Sequence, residues 1–174
     1  MYAIIVKYVI YEGNGFVKNK GFQDIKLFVC DFDGIFTDGK LTVYSDGLTS
    51  KTIDYKDVMA IANILKAGIK FAVISGETSK AIDVIKEKFP AAETFQNIRN
   101  KLEVLKGLVS KYNLKPENVL YAGDDINDAE CLKYAGAAFT VNDAHKSIKE
   151  IEGIYITERN GGHGAVREIA DLIL

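Results

Sequence analysis

The fold of the chain is decided by one stretch, Lys26-Leu27-Phe28-Val29-Cys30-Asp31-Phe32-Asp33-Gly34-Ile35-Phe36-Thr37-Asp38-Gly39, in which an apolar run ends abruptly in two acids and a glycine. The run predicts a β-strand that is buried on both faces. Its carboxyl end would deliver Asp31 and Asp33 to the sheet edge at which open α/β sheets bind their ligands. Because side chains two residues apart share a face of an extended chain, the two carboxylates can converge on one reacting group, while Gly34 lets the chain turn away. The spacing suits a nucleophile and its proton-transfer partner.

The composition is that of an ordinary globular protein. The 174 residues are enough for one well-buried domain, and 48% hydrophobic with 26% charged residues argue against a disordered or fibrous chain. A net charge of −2 gives no reason to expect a nucleic-acid partner, and no apolar run approaches the length of a membrane span. Cys30 and Cys131 are too few for a disulfide scaffold and lack the spacing of a metal site. We interpret them as reduced core thiols, and we expect a cytoplasmic protein without a signal peptide.

Strand-like and helical segments alternate along the rest of the chain. After the opening strand, a hairpin is predicted from Lys40–Tyr44 and Leu48–Ile53 around Ser45-Asp46-Gly47. Further strands are predicted over Ile69–Ile74, Glu93–Phe95, Val119–Ala122, Ala138–Val141 and Ile154–Ile156. Helices are predicted over Asp57–Lys66, from about Ser79 to Phe89, over Lys101–Tyr112, over a short segment that ends at Ala135, and over Ala144–Glu150 and Ala165–Ile173. We expect Asp57 to cap the first of these helices. The alternation predicts a Rossmann-like α/β fold, with a parallel sheet, right-handed crossovers and helices on both faces.

Residues 26–174 are therefore expected to form one domain, preceded by an N-terminal extension over residues 1–25. The segment from Tyr2 to Tyr11 is rich in β-branched and aromatic residues, and the turn-forming residues Glu12-Gly13-Asn14-Gly15 follow it. This pattern favours an extra strand or a hairpin ahead of the core, with an ordered tail as the alternative.

Polar clusters follow the ends of the predicted strands or begin the predicted helices. A parallel sheet would gather them at one edge; they are Asp31 with Asp33, Ser75, Lys101, and Asp124 with Asp125 and Asp128. These residue types suit phosphoryl transfer, because a carboxylate can attack phosphorus to form an aspartyl-phosphate while a second carboxylic acid protonates the leaving oxygen and later activates water. A Mg²⁺ held by carboxylates, together with a nearby Lys, would cancel the charge of an anionic nucleophile that approaches an anionic group. Ser75 adds a hydroxyl donor for a phosphate oxygen.

Each cluster also has a simpler interpretation when it is taken alone. Asp31-Phe32-Asp33-Gly34 could be a surface turn, and Gly123–Asp128 could be a turn with a helix cap. Ser75 and Lys101 could be ordinary residues at a helix start. A calcium loop is disfavoured, because Gly34 comes two positions too early for an EF-hand. The order of the clusters, each near the end of a predicted strand or the start of a helix, favours the catalytic interpretation.

The set of motifs resembles the four ordered motifs of the haloacid dehalogenase superfamily of phosphatases. The matching residues, within Lys26 to Leu174, are Asp31-Phe32-Asp33-Gly34-Ile35-Phe36-Thr37, Ser75, Lys101 and Gly123-Asp124-Asp125-Ile126-Asn127-Asp128. The resemblance implies that Asp31 is the nucleophile and a ligand of Mg²⁺, that Asp33 is the general acid/base and a backbone-carbonyl ligand of the metal, and that Asp124 is a side-chain ligand. It further implies that Asp125 and Asp128 support the metal site, and that Ser75 and Lys101 hold the transferring phosphate.

Further features are similar to those of the capless 3-deoxy-D-manno-octulosonate 8-phosphate phosphatases. They are the short hairpin after the first motif, Gly47 with Lys51 and Asp57, and the tail Gly161-Gly162-His163-Gly164-Ala165-Val166-Arg167-Glu168. No stretch between the motifs is long enough for a cap domain. The resemblance implies a small sugar-acid phosphate as substrate, contacted by Thr37 and Gly76, and a homotetramer in which the hairpins form a shared barrel. It also implies that Arg167 and the glycine-rich tail help to bind substrate at a neighbour's site.

Two departures from that family affect the expected substrate. The chain has Ser75-Gly76-Glu77 where the octulosonate enzymes carry Thr-Gly-Arg, and Asp57-Val58-Met59-Ala60 where they carry Asp-Gly-x-Gly. Glu77, together with Lys88 near the end of the following helix, resembles the relatives that act on nine-carbon, sialic-acid-type 9-phosphates. An anionic Glu would suit the hydroxyl groups of a substrate better than its carboxylate. The nine-carbon ester is therefore the alternative substrate.

A non-catalytic oligomerisation module, like the C-terminal domain of animal sialic-acid cytidylyltransferases, is the alternative from a different class. The chain retains the acidic residues of both carboxylate motifs. A purely structural domain gains nothing from clustered anions, so this retention disfavours the alternative.

Overall fold

The computed structural model describes residues 22–174, so most of the predicted N-terminal extension lies outside the described residues. Its last residues pack on the core. Phe22 is buried, with its ring centroid 5.3 Å from that of Phe139 and 5.0 Å from that of Tyr155. The strand or hairpin predicted from Tyr2 onward falls on the residues that are not described.

Six parallel strands form the central sheet, in the order β5-β4-β1-β6-β7-β8. The strands are β1 (Leu27–Cys30), β4 (Lys70–Ile74), β5 (Glu93–Phe95), β6 (Val119–Ala122), β7 (Ala137–Thr140) and β8 (Tyr155–Ile156), and a separate hairpin contains β2 (Thr42–Val43) and β3 (Thr49–Ser50). The opening strand β1 pairs with β4 on one side and with β6 on the other. The predicted Rossmann-like parallel sheet is confirmed.

Helices cover both faces of the sheet. They are α1 (Tyr55–Lys66), α2 (Lys80–Lys88), α3 (Lys101–Lys111), α4 (Ala129–Tyr134), α5 (Lys146–Lys149) and α6 (Ala165–Ile173), with short 3₁₀ turns at Pro116–Asn118 and Ile126–Asp128. Alternate residues of β1 enter different cores: Phe28 packs in the core under α1 and α6, and Val29 packs in the core under α3 and α4. This double burial explains the uninterrupted apolar run. None of the helices between residues 22 and 174 is long and apolar enough to cross a lipid bilayer.

The predicted hairpin is present, although its ladder is shorter than the two predicted runs. Thr42 pairs with Ser50 and Val43 with Thr49 in antiparallel register, and Gly47 adopts the left-handed φ of +83° that the turn requires. The hairpin lies in the connection between β1 and α1. In the described part of the chain this connection contains no other strand or helix, and so no cap domain.

The prediction that Asp57 caps α1 is wrong. The helix begins two residues earlier, and Asp54 is the N-cap, its Oδ1 accepting from the Lys56 N–H at 2.8 Å. Asp57 lies instead in the first turn, fully buried, on the side that packs against α6. Its two oxygens accept the backbone N–H groups of Gly164 at 3.1 Å and Arg167 at 2.8 Å. Asp57 therefore caps the last helix of the chain rather than its own.

Candidate active site

The loops that follow β1, β4 and β6 enclose a cavity of about 240 Å³ at the carboxyl edge of the sheet. The residues that line it are Asp31, Asp33, Gly34, Gly39, Ser75, Gly76, Glu77, Asp124, Asp125 and Asn127. Three neighbouring parallel strands end at this edge, so residues that are far apart in sequence meet here. The structure thus brings most of the sequence-predicted residues together; Asn127, which the sequence analysis did not single out as a site residue, joins them.

The carboxyl group of Asp31 is buried in this cavity and paired with a cation. Its Oδ2 lies 2.7 Å from Lys101 Nζ, and its Oδ1 accepts the Phe32 backbone N–H at 2.6 Å. Burial raises the pKa of Asp31 to about 7, and the negative charge of Asp128 adds to the rise, while Lys101 opposes it. A cation beside this carboxyl group therefore favours its ionised, nucleophilic form.

Lys101 is buried at the start of α3 and bridges two acids. Its Nζ lies 2.7 Å from Asp31 Oδ2 and 2.9 Å from Asp128 Oδ1. Burial lowers the pKa of Lys101, but the negative charges of Asp128 and Asp31 raise it by more, so the pKa lies above its ordinary value. This lysine is therefore a fixed positive charge against the Asp31 carboxylate rather than the solvated residue usual at a helix start.

Asp128 is held by partners from two other elements. The Tyr121 hydroxyl donates to Asp128 Oδ1 at 2.7 Å, and Oδ2 accepts the backbone N–H groups of Asp124 at 3.2 Å and Asp125 at 3.4 Å. Sequence reasoning missed Tyr121. The signal was available, because a Tyr inside an otherwise apolar buried strand needs a partner for its hydroxyl group.

The surroundings of Asp124 fit a divalent cation. Its Oδ1 is buried and has no hydrogen-bond partner among residues 22–174. Burial raises the pKa of Asp124 to about 8, with the charges of Asp31 and Asp128 adding to the rise. At Gly34, which has a φ of +79°, a Cβ would lie 2.0 Å from Asp124 Oδ2. The missing side chain therefore keeps open the space beside the carboxylate.

Three carboxylates of this cluster, those of Asp31, Asp124 and Asp128, each offer a ligand atom within 4.8 Å of the others. Oxygen atoms of carboxylates are the ligands that Mg²⁺ prefers. A buried carboxylate oxygen without a partner is costly, and a bound cation would remove that cost. The residues present therefore fit Mg²⁺. The Asp33 carboxylate is outside this cluster, and its predicted metal contact is through the backbone carbonyl, which stays a prediction.

Asp33 lies at the rim of the cavity and is held by the hairpin. Lys51 Nζ lies 2.7 Å from each of its two oxygens, and the Thr37 hydroxyl donates to Oδ1 at 3.3 Å. The Thr37 hydroxyl also accepts the backbone N–H groups of Gly34 and Gly39, so it closes the turn after β1. Thr37, predicted to contact substrate, is fully buried in this role.

The loop after β4 presents Ser75, Gly76 and Glu77 to the cavity. Ser75 is buried, and its Oγ accepts the Glu77 backbone N–H at 3.1 Å. Glu77 also lines a larger groove of about 1000 Å³ between this loop and the hairpin. Glu77 therefore lies at the junction of the cavity and the groove.

The structure does not bring the remaining predicted substrate contacts to this cavity. Lys88 Nζ donates to the Tyr55 hydroxyl at 3.1 Å, and Arg167 Nε lies 2.7 Å from Asp171 Oδ1 on the surface of α6. Neither residue is among those of the described chain that line the cavity or the groove. Their contacts with substrate stay predictions, and so does the expectation that Arg167 acts at the site of a neighbouring subunit.

The glycine-rich loop before α6 packs on the turn that follows β1 in its own chain. A Cβ at Gly161 would lie 1.8 Å from the Gly34 carbonyl oxygen, and the Gly162 N–H donates to the Ile35 carbonyl at 3.0 Å. Only glycines allow so close an approach of two backbones. This loop therefore supports the turn that contains Asp31 and Asp33.

The fold and this cluster of carboxylates define a class of hydrolase. The chain belongs to the haloacid dehalogenase-like hydrolases, since the model of that family matches residues 77–169. A relative, 3-deoxy-D-manno-octulosonate 8-phosphate phosphatase of Escherichia coli strain K12, is 32% identical over 152 residues, which are 87% of this chain and 80% of the relative.

Solved structures show the same likeness. The octulosonate 8-phosphate phosphatase of Moraxella catarrhalis, in complex with a magnesium ion, a phosphate ion and a KDO molecule, has a TM-score of 0.84 and 31% identity, and the match covers 89% of this chain and 88% of that one. The cobalt-bound phosphatase of Haemophilus influenzae has a TM-score of 0.81 and 29% identity, with 88% and 86% of the two chains covered. At this identity and coverage, the likeness extends beyond the fold to the enzyme family.

Proposed function

We propose that this chain is a Mg²⁺-dependent phosphomonoesterase that hydrolyses 3-deoxy-D-manno-octulosonate 8-phosphate through an aspartyl-phosphate on Asp31. The observation that supports it most is the pairing of a buried Asp31 with Lys101, 2.7 Å away, beside the partnerless Oδ1 of Asp124. The curated relatives with this name, about a third identical to the chain, support the choice of substrate.

In the first half of the reaction, a carboxylate oxygen of Asp31 bonds to phosphorus and the bond from phosphorus to the sugar oxygen breaks. Asp33, as a carboxylic acid, gives its proton to that leaving oxygen. Lys101 contacts Asp31 and keeps a positive charge beside the new phosphoryl group. Ser75 and the loop after it form the opposite wall of the cavity.

In the second half, Asp33 takes a proton from water as the water oxygen bonds to phosphorus and the bond to Asp31 breaks. Inorganic phosphate leaves, and Asp33 again carries its proton. Asp31, Asp124 and the backbone carbonyl of Asp33 would hold Mg²⁺, with Asp125 and Asp128 in support, and the bound ion would neutralise charge on the anionic nucleophile and the phosphoryl oxygens.

Replacement of the nucleophile tests this mechanism. We expect Asp31→Asn to lower Mg²⁺-dependent phosphate release from the octulosonate 8-phosphate by at least about 10³-fold, because the amide cannot form the phosphoenzyme. Asp24→Asn, an exposed acid at the opposite end of β1, is the matched control and should retain the wild-type rate. Turnover at the wild-type rate by Asp31→Asn would exclude the mechanism.

The nine-carbon, sialic-acid-type 9-phosphate is a second candidate substrate, supported by the place of Glu77 at the junction of cavity and groove. A comparison of kcat/KM for the two esters on the purified enzyme decides between them. We expect the eight-carbon ester to be preferred, in line with the relatives; preference for the nine-carbon ester would replace it as the proposed substrate.

We propose in addition that the chain forms a homotetramer in the cytoplasm. The proposal for the tetramer rests on the hairpin, which exposes more than half of the side chains of Leu41, Val43, Tyr44 and Leu48. Apolar residues grouped in this way are typical of an interface. The cytoplasmic location is supported by the two free, buried cysteines.

A further inference from the structure

Lys51 makes a contact that the proposed mechanism does not yet use. It directly follows β3 of the hairpin, and its Nζ lies 2.7 Å from both oxygens of Asp33. Its side chain is only 15% exposed, and its Nζ lies 6.0 Å from the centre of the Phe32 ring. A lysine held this closely is ordered, unlike the solvated lysines of an ordinary protein surface.

A simple structural role would be to fasten the hairpin to the domain. For that role alone, a salt bridge to any acid near the hairpin would be enough. Lys51 instead contacts the one carboxyl group to which proton transfer is assigned. The Thr37 hydroxyl makes a second contact with the same carboxyl group, donating to Asp33 Oδ1 at 3.3 Å.

We infer that Lys51 is the positioning residue of the proton-transfer step, and that the hairpin thereby delivers a part of the catalytic machinery. This inference rests on the proposed function. Lys51 and Thr37 together contact both oxygens of Asp33 and so restrict the rotation of its carboxyl group. When Asp33 carries its proton on one oxygen, the ammonium group still donates to the other oxygen, so the orientation is kept in both halves of the reaction.

If Lys51 positions Asp33 for proton transfer, the effect of replacing Lys51 on kcat/KM should depend on the leaving group of the ester. A sugar alkoxide is a poor leaving group and needs the proton of Asp33 as its bond to phosphorus breaks. A p-nitrophenolate is stable as an anion and leaves without that proton. The value of kcat/KM covers the steps up to release of the leaving group, so it reports on the acid half of the reaction alone.

The test compares Lys51→Met on two esters, the octulosonate 8-phosphate and p-nitrophenyl phosphate. We expect kcat/KM to fall by about 10- to 100-fold for the sugar ester and by less than about 3-fold for the aryl ester. Lys51→Arg should restore most of the loss, because it keeps the donor and the charge. Lys66→Met, the same change on an exposed lysine at the far end of α1, should leave both values unchanged.

Equal losses on the two esters, or no loss on either, would overturn the role of Lys51. Circular dichroism and thermal unfolding show whether Lys51→Met is folded. If that variant does not fold, Lys51→Gln, which keeps a donor without the charge, is measured in its place. A wild-type protein that releases phosphate from neither ester would overturn the proposed function together with this inference. The two failures are therefore distinguishable.

Discussion

The Asp124 carboxylate destabilises the folded protein when no cation is bound, and it would be a ligand of the cation when one is. Its Oδ1 is buried without a hydrogen-bond partner in residues 22–174, and Asp31 and Asp128 add like charges beside it. Glycine at position 34 leaves open the space next to Oδ2. A site that is built for a ligand commonly gives up stability in this way.

Asp124→Asn is expected to separate these two effects. Without metal, the variant should be more stable than the wild type by about 1–3 kcal/mol at neutral pH, because the wild type must bury this carboxyl group by taking up a proton on folding and the amide removes that cost. Addition of Mg²⁺ should raise the Tm of the wild type and leave that of the variant unchanged. Urea unfolding in EDTA and thermal unfolding with Mg²⁺ measure the two quantities. A metal-free variant less stable than the wild type would contradict the prediction.

Among the elements, the junction of α1 and α6 determines where the glycine-rich loop lies. Asp57 accepts the N–H groups of Gly164 and Arg167 at the start of α6, and Gly161 and Gly162, in the same loop, rest on the turn after β1. The Asp57 carboxylate thus connects the first helix to the last one, and the glycine-rich loop that leads into the last helix rests on the turn after β1.

This contact should produce a measurable pH dependence of stability. Burial raises the pKa of Asp57 to about 6, while the backbone hydrogen bonds from Arg167 and Gly164 lower it. The unfolded chain has the ordinary value of 3.8, so the folded state binds more protons between these values. The stability that Asp57 contributes is therefore full below about pH 4 and is lost as the pH rises through about 6.

Asp57→Asn does not titrate and is the reference for this effect. We expect the variant to be less stable than the wild type, since its amide group presents a donor to one of the two N–H groups. This deficit in the free energy of unfolding should shrink by up to about 3 kcal/mol from pH 4 to pH 7, because the wild type loses stability over this range. Urea unfolding of both proteins across this range measures the deficit. A deficit that grows with pH would show that the carboxylate is stabilised rather than penalised by its burial.

For the whole molecule, the exposed apolar side chains of the hairpin predict assembly. Leu48→Asp places a charge in the proposed interface and should convert a tetramer into smaller species in light scattering after gel filtration. Val84→Asp, a matched change on the exposed face of α2, should leave the assembly intact. A wild-type protein that elutes as a monomer would exclude the tetramer. If assembly orders the hairpin, Leu48→Asp should also weaken the ion pair between Lys51 and Asp33.

The order and type of the main elements follow from local patterns in the amino-acid sequence. The unbroken apolar runs at β1, β4 and β6 indicate strands buried on both faces, and Asp46-Gly47 between β-prone runs indicates a hairpin. Polar residues directly after those strands had to meet at one edge, so Asp31, Ser75 and Asp124 were predictable as neighbours. Local pattern and chain direction carry this information, and it needs no knowledge of distant contacts.

Tertiary structure decided the partners of the buried polar groups. The sequence placed Asp57 as the cap of its own helix, whereas the packing of α1 on α6 turned it towards Gly164. Nothing in the local pattern connects Lys51 with Asp33, which is 18 residues away, or Tyr121 with the Asp128–Lys101 pair. The physical reason is that hydrogen bonds and ion pairs between elements depend on how the helices and the hairpin pack against the sheet, and the periodicity of a single element does not contain that geometry.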